Sequence, residues 1–450
     1  MERIKNELIR GGLWATAGKG LLVLATLAAN ALLTRLLPPS DIGIYFLLLS
    51  FVSVLALVAQ AGMQMAIVRL VAEARGAGSI HLVISTIRSA YLLVAVTTLL
   101  VCAVFAGGTG AWVSSQIFHF TLPDGVVYMA TAWIAAFAFR SLIAETFRGF
   151  HDIKHASLFE GLLDGLIYCC LLGILYILYT HGDLNQVILL AIVSSYLNIL
   201  IASIFLRQKL KTRLIRTGGH EPPLRMRQII SIAWPLWVTS ITLFVLAQTD
   251  LWIMGMLREQ NEVGVYGAVR RLALLVSMSL TIVNSVVPPL IAEMNTNKEH
   301  DKLEQALRAT STVAALPSFF ALALFIFGAE PILRIIYGGY YSVGASILIT
   351  LSLGQLVNVW CGSCGYVLMM TGHQVAMMKI SILCGVISVA LAFSLVPIFG
   401  GLGAAASVST ALILQNLLML VAVRRYLGIW TQIDIRLLWR QFSRPHSHAP

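Results

Sequence analysis

Charged residues are scarce in this chain of 450 residues. They make up 11% of the sequence, whereas soluble domains carry about 25%. Hydrophobic residues reach 58% and the mean hydropathy is +0.85, which excludes a soluble globular protein and indicates one that crosses the bilayer many times. No polar loop is long enough for a soluble catalytic domain, and no nucleophile and base occur at catalytic spacing, so we expect neither enzymatic activity nor a cofactor.

Cysteine is also rare, and its placement argues against a disulfide framework. All six cysteines lie inside apolar runs: Cys102, Cys169, Cys170, Cys361, Cys364 and Cys384. We expect neither disulfides nor a metal site among them. The motif Cys361-Gly-Ser-Cys364 has redox spacing, but an apolar run surrounds it, and we interpret it as a helix face of small residues.

Acidic side chains are outnumbered by basic ones. The chain has 20 Asp and Glu against 31 Lys and Arg, and its formal net charge is +11. The basic residues lie mostly in short loops between apolar runs, where they set membrane topology and contact anionic lipids. We therefore expect no nucleic-acid partner.

Twelve apolar runs are long enough to cross a hydrocarbon core of about 30 Å. We predict spans at residues 12–36, 42–68, 82–106, 126–148, 156–179, 185–206, 229–257, 263–291, 308–333, 344–371, 375–398 and 402–423. Six spans lie on each side of a basic stretch, Arg207–Arg227, in which seven of 21 residues are Lys or Arg. The predicted domains are an N-terminal six-helix bundle (1–206), a basic cytoplasmic linker (207–228), a C-terminal six-helix bundle (229–427) and a cytoplasmic tail (428–450).

The distribution of basic residues predicts the orientation of the chain. Of the 31 Lys and Arg residues, 25 lie on the side of the linker or in the part of a span near that side, three lie on the opposite side, and three, Arg140, Arg270 and Arg271, lie deeper in their spans. Because short basic loops stay in the cytoplasm, we expect the linker and both termini to be cytoplasmic. Glu145 and Glu160 fall near the membrane interface on this side, and we expect both to be solvated.

The two halves carry an internal repeat. Asp41-Ile-Gly-Ile-Tyr45, at the start of the second span, matches Glu262-Val-Gly-Val-Tyr266, at the start of the eighth, and Val71-Ala-Glu73 matches Ile291-Ala-Glu293. The central glycines permit a tight helix entry and close helix approach. An even number of spans separates the copies, so the halves share one orientation about a pseudo-twofold axis along the membrane normal. The predicted fold is an all-α polytopic membrane protein with twelve transmembrane helices in two parallel-oriented six-helix bundles around a central cavity.

One repeat motif belongs to a longer signature. Leu33-Thr-Arg-Leu-Leu-Pro-Pro-Ser-Asp-Ile-Gly-Ile-Tyr45 resembles the first loop of Wzx-type polysaccharide flippases, and Pro397-Ile-Phe-Gly-Gly-Leu-Gly-Ala-Ala405 is similar to their last turn. This family lies within the multidrug/oligosaccharidyl-lipid/polysaccharide exporter superfamily. The resemblance implies a flippase that moves a polyprenyl-pyrophosphate-linked oligosaccharide from the inner to the outer leaflet of the bacterial cytoplasmic (inner) membrane by alternating access. It implies contact with this substrate and with membrane lipids, and a glycan polymerase and a chain-length regulator are candidate partners.

Polar side chains inside the spans are candidates for contact with the cargo, because a charge at the bilayer centre must be paired or face water. From Arg270 to Asn284 the polar residues recur at spacings of 7, 4 and 3, which predicts one polar helical face. Similar lines pass through Asn30 and Gln60, and a guanidinium can hold a pyrophosphate by two hydrogen bonds at once. The candidate substrate-binding residues are Arg270, Arg271, Lys19, Arg140, Asn30, Gln60, Ser277, Thr281 and Asn284.

Two of these arginines have an acidic residue at a similar depth in the membrane. Arg270 could pair with Asp250, and Arg140 with Asp164, in which case each pair is structural. The same two carboxylates suit ion coupling in the alternative function, a cation-coupled multidrug antiporter of the same superfamily. The first span has no acidic residue. Within the spans, the basic residues outnumber the deeper acids, Asp164 and Asp250, which favours an anionic cargo; the basic residues are Lys19, Arg88, Arg140, Arg270 and Arg271.

Overall fold

The structure, a computed structural model, describes residues 2–76, 80–118, 124–179, 181–214 and 226–434. All regular structure in these described ranges is helical. The chain divides into two compact units, Met1–Gly264 and Val265–Pro450, which we call unit 1 and unit 2. The helical structure is expected from the continuous apolar runs, because a backbone in lipid must satisfy its own hydrogen bonds and a helix does so within one segment.

Unit 1 is a bundle of helices that vary in length from one turn to about ten. In chain order they are α1 (Glu2–Leu36), α2 (Pro39–Ala59), α3 (Met63–Gly76), α4 (Ile80–Val104), α5 (Gly110–Gln116), α6 (Asp124–Gly149), α7 (Ile153–Ser157), α8 (Leu163–Leu178), α9 (Leu184–Leu214), α10 (Met226–Leu257) and the start of α11 (Gln260–Ala273). Two π-helical turns, Phe105–Thr109 and Leu158–Leu162, join α4 to α5 and α7 to α8.

Helix α6 organises the packing of unit 1. It contacts α2, α3, α4 and α9, while α8 packs against both α1 and α9. Ala130, Ile134 and Ala138, spaced four residues apart, are fully buried on one face of α6. The small side chains of Ala130 and Ala138 let neighbouring helices approach closely. The packing of α6, α8 and α9 also brings polar side chains from all three helices together.

The second predicted span, 42–68, is broken. Between α2 and α3 the backbone turns through Ala61 and Gly62, whose φ angles are 48° and 78°. A Cβ on Gly62 would lie 2.2 Å from a backbone oxygen of α10, so only glycine fits there. The Thr97 hydroxyl donates a hydrogen bond to the carbonyl of Ala59, which satisfies one of the carbonyls that the break exposes.

The glycines of the two repeat motifs lie against each other within unit 1. A Cβ on Gly43 would lie 2.1 Å from the carbonyl oxygen of Gln260, and a Cβ on Gly264 would lie 2.2 Å from that of Pro39. Each carbonyl belongs to the residue four positions before the other motif's glycine, so the two contacts are equivalent when the motifs are exchanged. The first turns of α2 and α11 therefore pack backbone to backbone, which is the close approach that the motif predicts.

Unit 2 contains the rest of α11 and seven further helices in its described part. They are α12 (Met278–Asn284), α13 (Val287–Thr296), α14 (His300–Tyr337), α15 (Ala345–Cys361), α16 (Cys364–Met370), α17 (Gln374–Phe399) and α18 (Gly401–Leu427). Helix α18 packs against α15 and α17, and α14 packs against α15. At the turn into α18, Gly400 has a φ of 55°, and a Cβ on Gly403 would lie 2.3 Å from the oxygen of Leu395. The glycines of the last-turn signature are therefore required by geometry.

The first residues of the predicted tail are packed against unit 2. We call the segment Ile429–Asp434 the strap. The hydroxyl of Thr431, which is fully buried, donates a hydrogen bond of 2.7 Å to the carbonyl of Cys361, and the amide of Ile433 donates one of 3.1 Å to the carbonyl of Trp360. These carbonyls end α15, where a helix leaves acceptors without a partner. The strap therefore caps α15 from a distant part of the chain.

Ten helices in the described residues are long and apolar enough to cross a membrane, so the chain is a multi-pass membrane protein. Helices α1 and α10 coincide with the first and seventh predicted spans and are 35 and 32 residues long. A helix needs about 20 residues to cross. The arrangement of twelve spans in two bundles stays a prediction.

The ends of the predicted linker are helical. Helix α9 continues to Leu214, eight residues beyond the predicted end of the sixth span, and α10 begins at Met226. The centre of the linker, residues 215–225, lies outside the described residues. The sequence pattern underestimated α9 because a charged helix end that leaves the membrane has no apolar periodicity to mark it.

Candidate functional site

The polar residues of the eighth predicted span do not share one continuous helix. Helix α11 ends at Ala273, and the 3-10 turn Leu274–Ser277 precedes α12. A 3-10 helix has three residues per turn instead of 3.6, so four such residues rotate α12 by about 80° from its position in a continuous α-helix. The predicted polar face from Arg270 to Asn284 is therefore split at this turn.

The second part of this predicted face bonds locally in unit 2. Ser277 is buried and donates to the carbonyl of Leu274 at 3.2 Å, and Thr281 is exposed and donates to the carbonyl of Ser277 at 3.1 Å. The side-chain oxygen of Asn284 accepts a hydrogen bond of 2.6 Å from Ser363, in the turn between α15 and α16. These contacts support helix breaks in unit 2, and the role of the three residues as substrate ligands stays a prediction.

The first part of the face brings a guanidinium to one of a pair of buried phenols. Arg271 is half-buried and interacts electrostatically with Tyr337, the last residue of α14. The ring of Tyr341 packs edge-on against that of Tyr337, with centroids 5.9 Å apart. The two tyrosines are 1% and 2% exposed, and neither hydroxyl has a hydrogen-bond partner among the described residues. We call Arg271, Tyr337 and Tyr341 the arginine–tyrosine cluster; all three groups can donate hydrogen bonds.

Sequence reasoning missed these two tyrosines. A tyrosine at the end of a span is usually an interfacial anchor, and nothing in the local pattern distinguishes Tyr337 or Tyr341 from one. The fold buries them because the 3-10 turn Gly339–Gly344 packs onto α11: a Cβ on Gly344 would lie 2.7 Å from the side chain of Val269. Val265 and Val269, one turn apart on α11, therefore hold this 3-10 turn in place beside the two tyrosines.

The candidates in unit 1 include two buried amides. Asn30 is 1% exposed and Gln60 is 4% exposed. Gln60 lies at the break between α2 and α3, and its Oε1 atom has no hydrogen-bond partner among the described residues. The side chain of Lys19 lies outside the described residues. Contact of these three residues with cargo stays a prediction.

Arg140 pairs with Asp164 inside unit 1. The guanidinium donates from Nη1 to Oδ2 of Asp164, while the hydroxyls of Ser194 and Ser195 each donate to Oδ1 at 3.0 Å. The Arg140 side chain is 11% exposed and that of Asp164 is 16% exposed. The structural-pairing alternative therefore describes this couple, and helices α6, α8 and α9 each contribute to the network.

Glu145 corrects one expectation, because it is buried and not solvated. It is 6% exposed, and its carboxylate accepts a hydrogen bond from Arg148, which also donates to Glu160 at 2.9 Å. Residues three apart lie on the same helix face, which brings Arg148 over Glu145. The Glu160 side chain is 49% exposed, as expected. Asp250 is also buried, and its pairing with Arg270 stays a prediction.

One basic residue of the predicted linker is tied to the bundle. Lys209, near the end of α9, bonds to Asp152, whose Oδ1 lies 2.9 Å from Nδ1 of His155. Burial raises the pKa of Asp152, but hydrogen bonds from Lys209 and His155 outweigh it, so the pKa lies below its ordinary value. Asp152 is therefore ionised at neutral pH and anchors the end of α9 to the start of α7.

Cysteines and acids form no metal site in the part of the chain that the structure describes. No group of three or more His, Cys, Asp and Glu there could hold a metal ion. All six cysteines are free, and Cys361 and Cys364 flank the break between α15 and α16. Between them Gly362 has a φ of 73°, and a Cβ there would lie 2.1 Å from Oγ of Ser311. This motif therefore makes a tight turn.

A cavity of about 690 Å³ opens in unit 1 where α10 meets α11. Its lining includes Phe118, Glu259 and the ion pair of Arg258 with Glu262. In this pair Nε of Arg258 donates to Oε2 of Glu262 at 2.9 Å, and Nη2 donates to Oε1 at 2.8 Å. These hydrogen bonds raise the pKa of Arg258. None of the predicted substrate-binding residues lines this cavity.

Two protein families match the sequence. Residues 8–295 match the family described as polysaccharide biosynthesis protein, and residues 235–394 match the MatE family. The first match covers well over half of the chain and includes both repeat motifs, Arg140 and Arg271. The second runs from within α10 to within α17.

A curated relative and several solved structures are similar to the chain. The Haloferax volcanii protein named "Probable low-salt glycan biosynthesis flippase Agl15" is 26% identical over 181 residues, 39% of this chain and 37% of the relative, so the match spans little more than a third of its length. An inward-facing multidrug resistance MATE family transporter of the MOP superfamily aligns with a TM-score of 0.73 at 13% identity, over 93% of this chain and 98% of that one. A MOP superfamily transporter from Pyrococcus furiosus, described as having a binding pocket of reverse polarity, aligns at 0.62 and 13% identity over 94% and 96%. At these identities the structures show a shared fold.

Proposed function

Because this chain belongs to the polysaccharide biosynthesis protein family, we propose that it is a flippase for a lipid-linked oligosaccharide. The proposed cargo is a polyprenyl-pyrophosphate-linked oligosaccharide, which alternating access moves from the inner to the outer leaflet of the bacterial cytoplasmic membrane for surface polysaccharide biosynthesis. The partial likeness to a probable glycan flippase supports a glycan cargo. A glycan polymerase and a chain-length regulator are the proposed partners.

The observation that carries the proposal is the arginine–tyrosine cluster. Two phenol hydroxyls, on residues that are 1% and 2% exposed, lie buried without hydrogen-bond partners among the described residues, and one of the two residues, Tyr337, interacts electrostatically with Arg271. A buried polar group that lacks a partner is costly, by about 1–3 kcal/mol. Phosphate oxygens accept hydrogen bonds and carry the charge that a guanidinium favours. A pyrophosphate headgroup would accept hydrogen bonds from both hydroxyls and attract the guanidinium, whereas a cationic drug would be repelled by Arg271.

We expect loss of Arg271 to abolish export without loss of protein. In a bacterium that lacks its own flippase, Arg271→Ala should reduce surface glycan at least tenfold, while Arg271→Lys, which keeps the charge and loses the two-pronged geometry, retains part of it. Tyr337→Phe and Tyr341→Phe remove only a hydroxyl and should each lower export several-fold. Surface glycan is measured together with the amount of protein in the membrane.

A matched control is Tyr340→Phe, since this neighbouring tyrosine is exposed. It should leave export unchanged. Normal export by Arg271→Ala at normal protein levels would contradict the proposed anion site.

The alternative function is a cation-coupled multidrug antiporter. The MatE match over residues 235–394 favours it, and Asp250 is a buried carboxylate that could couple to an ion. Expression of the protein in a flippase-deficient strain and in a strain that lacks its drug exporters separates the two functions. A flippase restores surface glycan and leaves the drug sensitivity of an exporter-deficient strain unchanged, whereas an antiporter lowers drug sensitivity and leaves glycan absent.

The proposed location is the bacterial cytoplasmic membrane, with the linker and both termini in the cytoplasm. The excess of basic residues on the linker side supports this orientation. A reporter that is active only outside the cytoplasm should be active when fused after His181 or Gly339 and silent after Gly219 or Arg440. Activity at Gly219 would overturn the proposed topology.

A further inference from the structure

The polar network around Asp164 has the composition of a cation site. Its carboxylate has both oxygens engaged: Oδ1 accepts the hydroxyls of Ser194 and Ser195, each at 3.0 Å, and Oδ2 accepts the guanidinium of Arg140. Carboxylate and hydroxyl oxygens are the ligands that hard cations take in proteins. Three helices of unit 1 therefore converge on a point where oxygen atoms surround a single positive group.

This network lies deep in the predicted spans. Arg140 is nine residues before the end of α6 at Gly149, which is about 14 Å at 1.5 Å per residue. Asp164 is eleven residues after the start of α7 at Ile153, about 17 Å. Counted from the predicted span ends at residues 148 and 156, each lies eight residues, about 12 Å, inside its span, where an uncompensated carboxylate is costly. A positive charge is therefore required beside Asp164.

Two neighbouring groups could serve a small cation as well as they serve a guanidinium. The single hydroxyl hydrogen of Ser194 has two acceptors within reach, Oδ1 of Asp164 at 3.0 Å and the carbonyl of Ala191 at 2.9 Å. Turned toward Ala191, it leaves an oxygen lone pair facing Asp164. The face of Phe137 lies 4.2 Å from Cζ of Arg140, and an aromatic face attracts any cation.

We propose that Asp164, Ser194, Ser195 and Phe137 form a monovalent-cation site that the guanidinium of Arg140 fills as a tethered cation. The protein then needs no soluble cation at this point. Arg140 acts as an internal counter-ion and not as a cargo ligand, and its removal uncovers a site for Na⁺. This inference goes beyond the proposed function and does not depend on which cargo the protein carries.

The test is the thermal stability of the purified full-length protein in NaCl and in choline chloride at equal ionic strength. The native protein should unfold at the same temperature in both salts. Arg140→Ala should unfold at a higher temperature in NaCl, by about 1.5–2.5 °C when Na⁺ is tenfold above its dissociation constant. Choline is too large for the vacated site and supplies no stabilisation.

Two matched variants separate a vacated cation site from a simple loss of packing. Arg140→Lys keeps a tethered positive charge and should be insensitive to the choice of salt. Arg140→Ala combined with Asp164→Asn removes the carboxylate together with its counter-ion, so this double variant should also show no Na⁺ effect. Only the single variant Arg140→Ala is expected to respond to Na⁺.

Two results would overturn the proposal. One is an equal unfolding temperature of Arg140→Ala in both salts. The other is failure of Arg140→Ala to accumulate in cells, whether or not the double variant accumulates. The Na⁺ and K⁺ in the cell should already replace the missing guanidinium, so the proposal requires this variant to accumulate.

Discussion

Replacing either repeat glycine by alanine is expected to prevent the protein from accumulating in the membrane. A Cβ on Gly43 or Gly264 would lie 2.1 or 2.2 Å from a backbone oxygen of the other motif's helix, whereas carbon and oxygen atoms ordinarily approach to about 3.3 Å. The two helix starts would have to separate by about 1 Å, and overpacking of this kind costs about 1–3 kcal/mol or more. The measurement is the amount of inserted protein and its thermal midpoint.

The matched control for this experiment is Gly173→Ala in α8. A Cβ at Gly173 meets no atom within 4 Å, and alanine favours a helix over glycine by about 1 kcal/mol. We expect normal or slightly higher stability. Normal accumulation of both Gly43→Ala and Gly264→Ala would mean that the two helix starts do not pack as described.

A chain that ends at Leu427 is expected to lose unit 2, whereas one that ends at Asp434 is expected to accumulate. The first truncation removes the strap, and with it the two hydrogen bonds that cap α15 and the buried side chain of Ile429, which is 3% exposed. Two net hydrogen bonds contribute about 1 kcal/mol each and a buried isoleucine about 1.5–3 kcal/mol. That sum is a large fraction of the stability of an ordinary domain.

Resistance to proteolysis in purified membranes measures the effect of each truncation. The chain that ends at Asp434 keeps the ion pair between Arg308 and Asp434, 3.2 Å, and the hydrogen bond from the amide of Asp434 to Thr312. Thr431→Val, which keeps the shape and removes one hydroxyl, should reproduce part of the loss. Equal resistance of both truncations would show that the strap contributes nothing to unit 2.

The sequence predicted the helices and the family, but it did not predict where the helices break. The signature that ends at Tyr45 and the last-turn signature through Gly400 identified the family, which the match over residues 8–295 confirms. The pattern did not reveal the turn at Gly62 or the 3-10 turn before α12. Hydropathy is averaged over about 19 residues, so a break of two or three residues inside an apolar run does not change it.

Candidate site residues were predicted by type, and their partners were not. An arginine such as Arg140 or Arg271 inside an apolar run requires compensation, and sequence can identify that requirement. An ion pair between Arg140 and Asp164 was predicted only because the two residues lie at a similar depth in their spans, and that pair is present in unit 1. Ser194, Ser195 and Tyr337 were not foreseen, because serine and tyrosine are common in membrane helices and nothing in their spacing distinguishes these positions.

The sequence alone determined the class of this protein. Its low charge, long apolar runs and basic loops require a multi-pass helical membrane protein, because each of these properties depends only on residues close together in the chain. The tertiary structure decided which helices break, which carbonyl faces Gly43 and Gly264, and which groups surround Arg140 and Arg271. Those outcomes depend on how each helix is rotated against its neighbours, and rotation is set by packing between residues far apart in sequence. The strap shows the same dependence, because Thr431 can cap α15 only once α14, α15 and α18 have assembled.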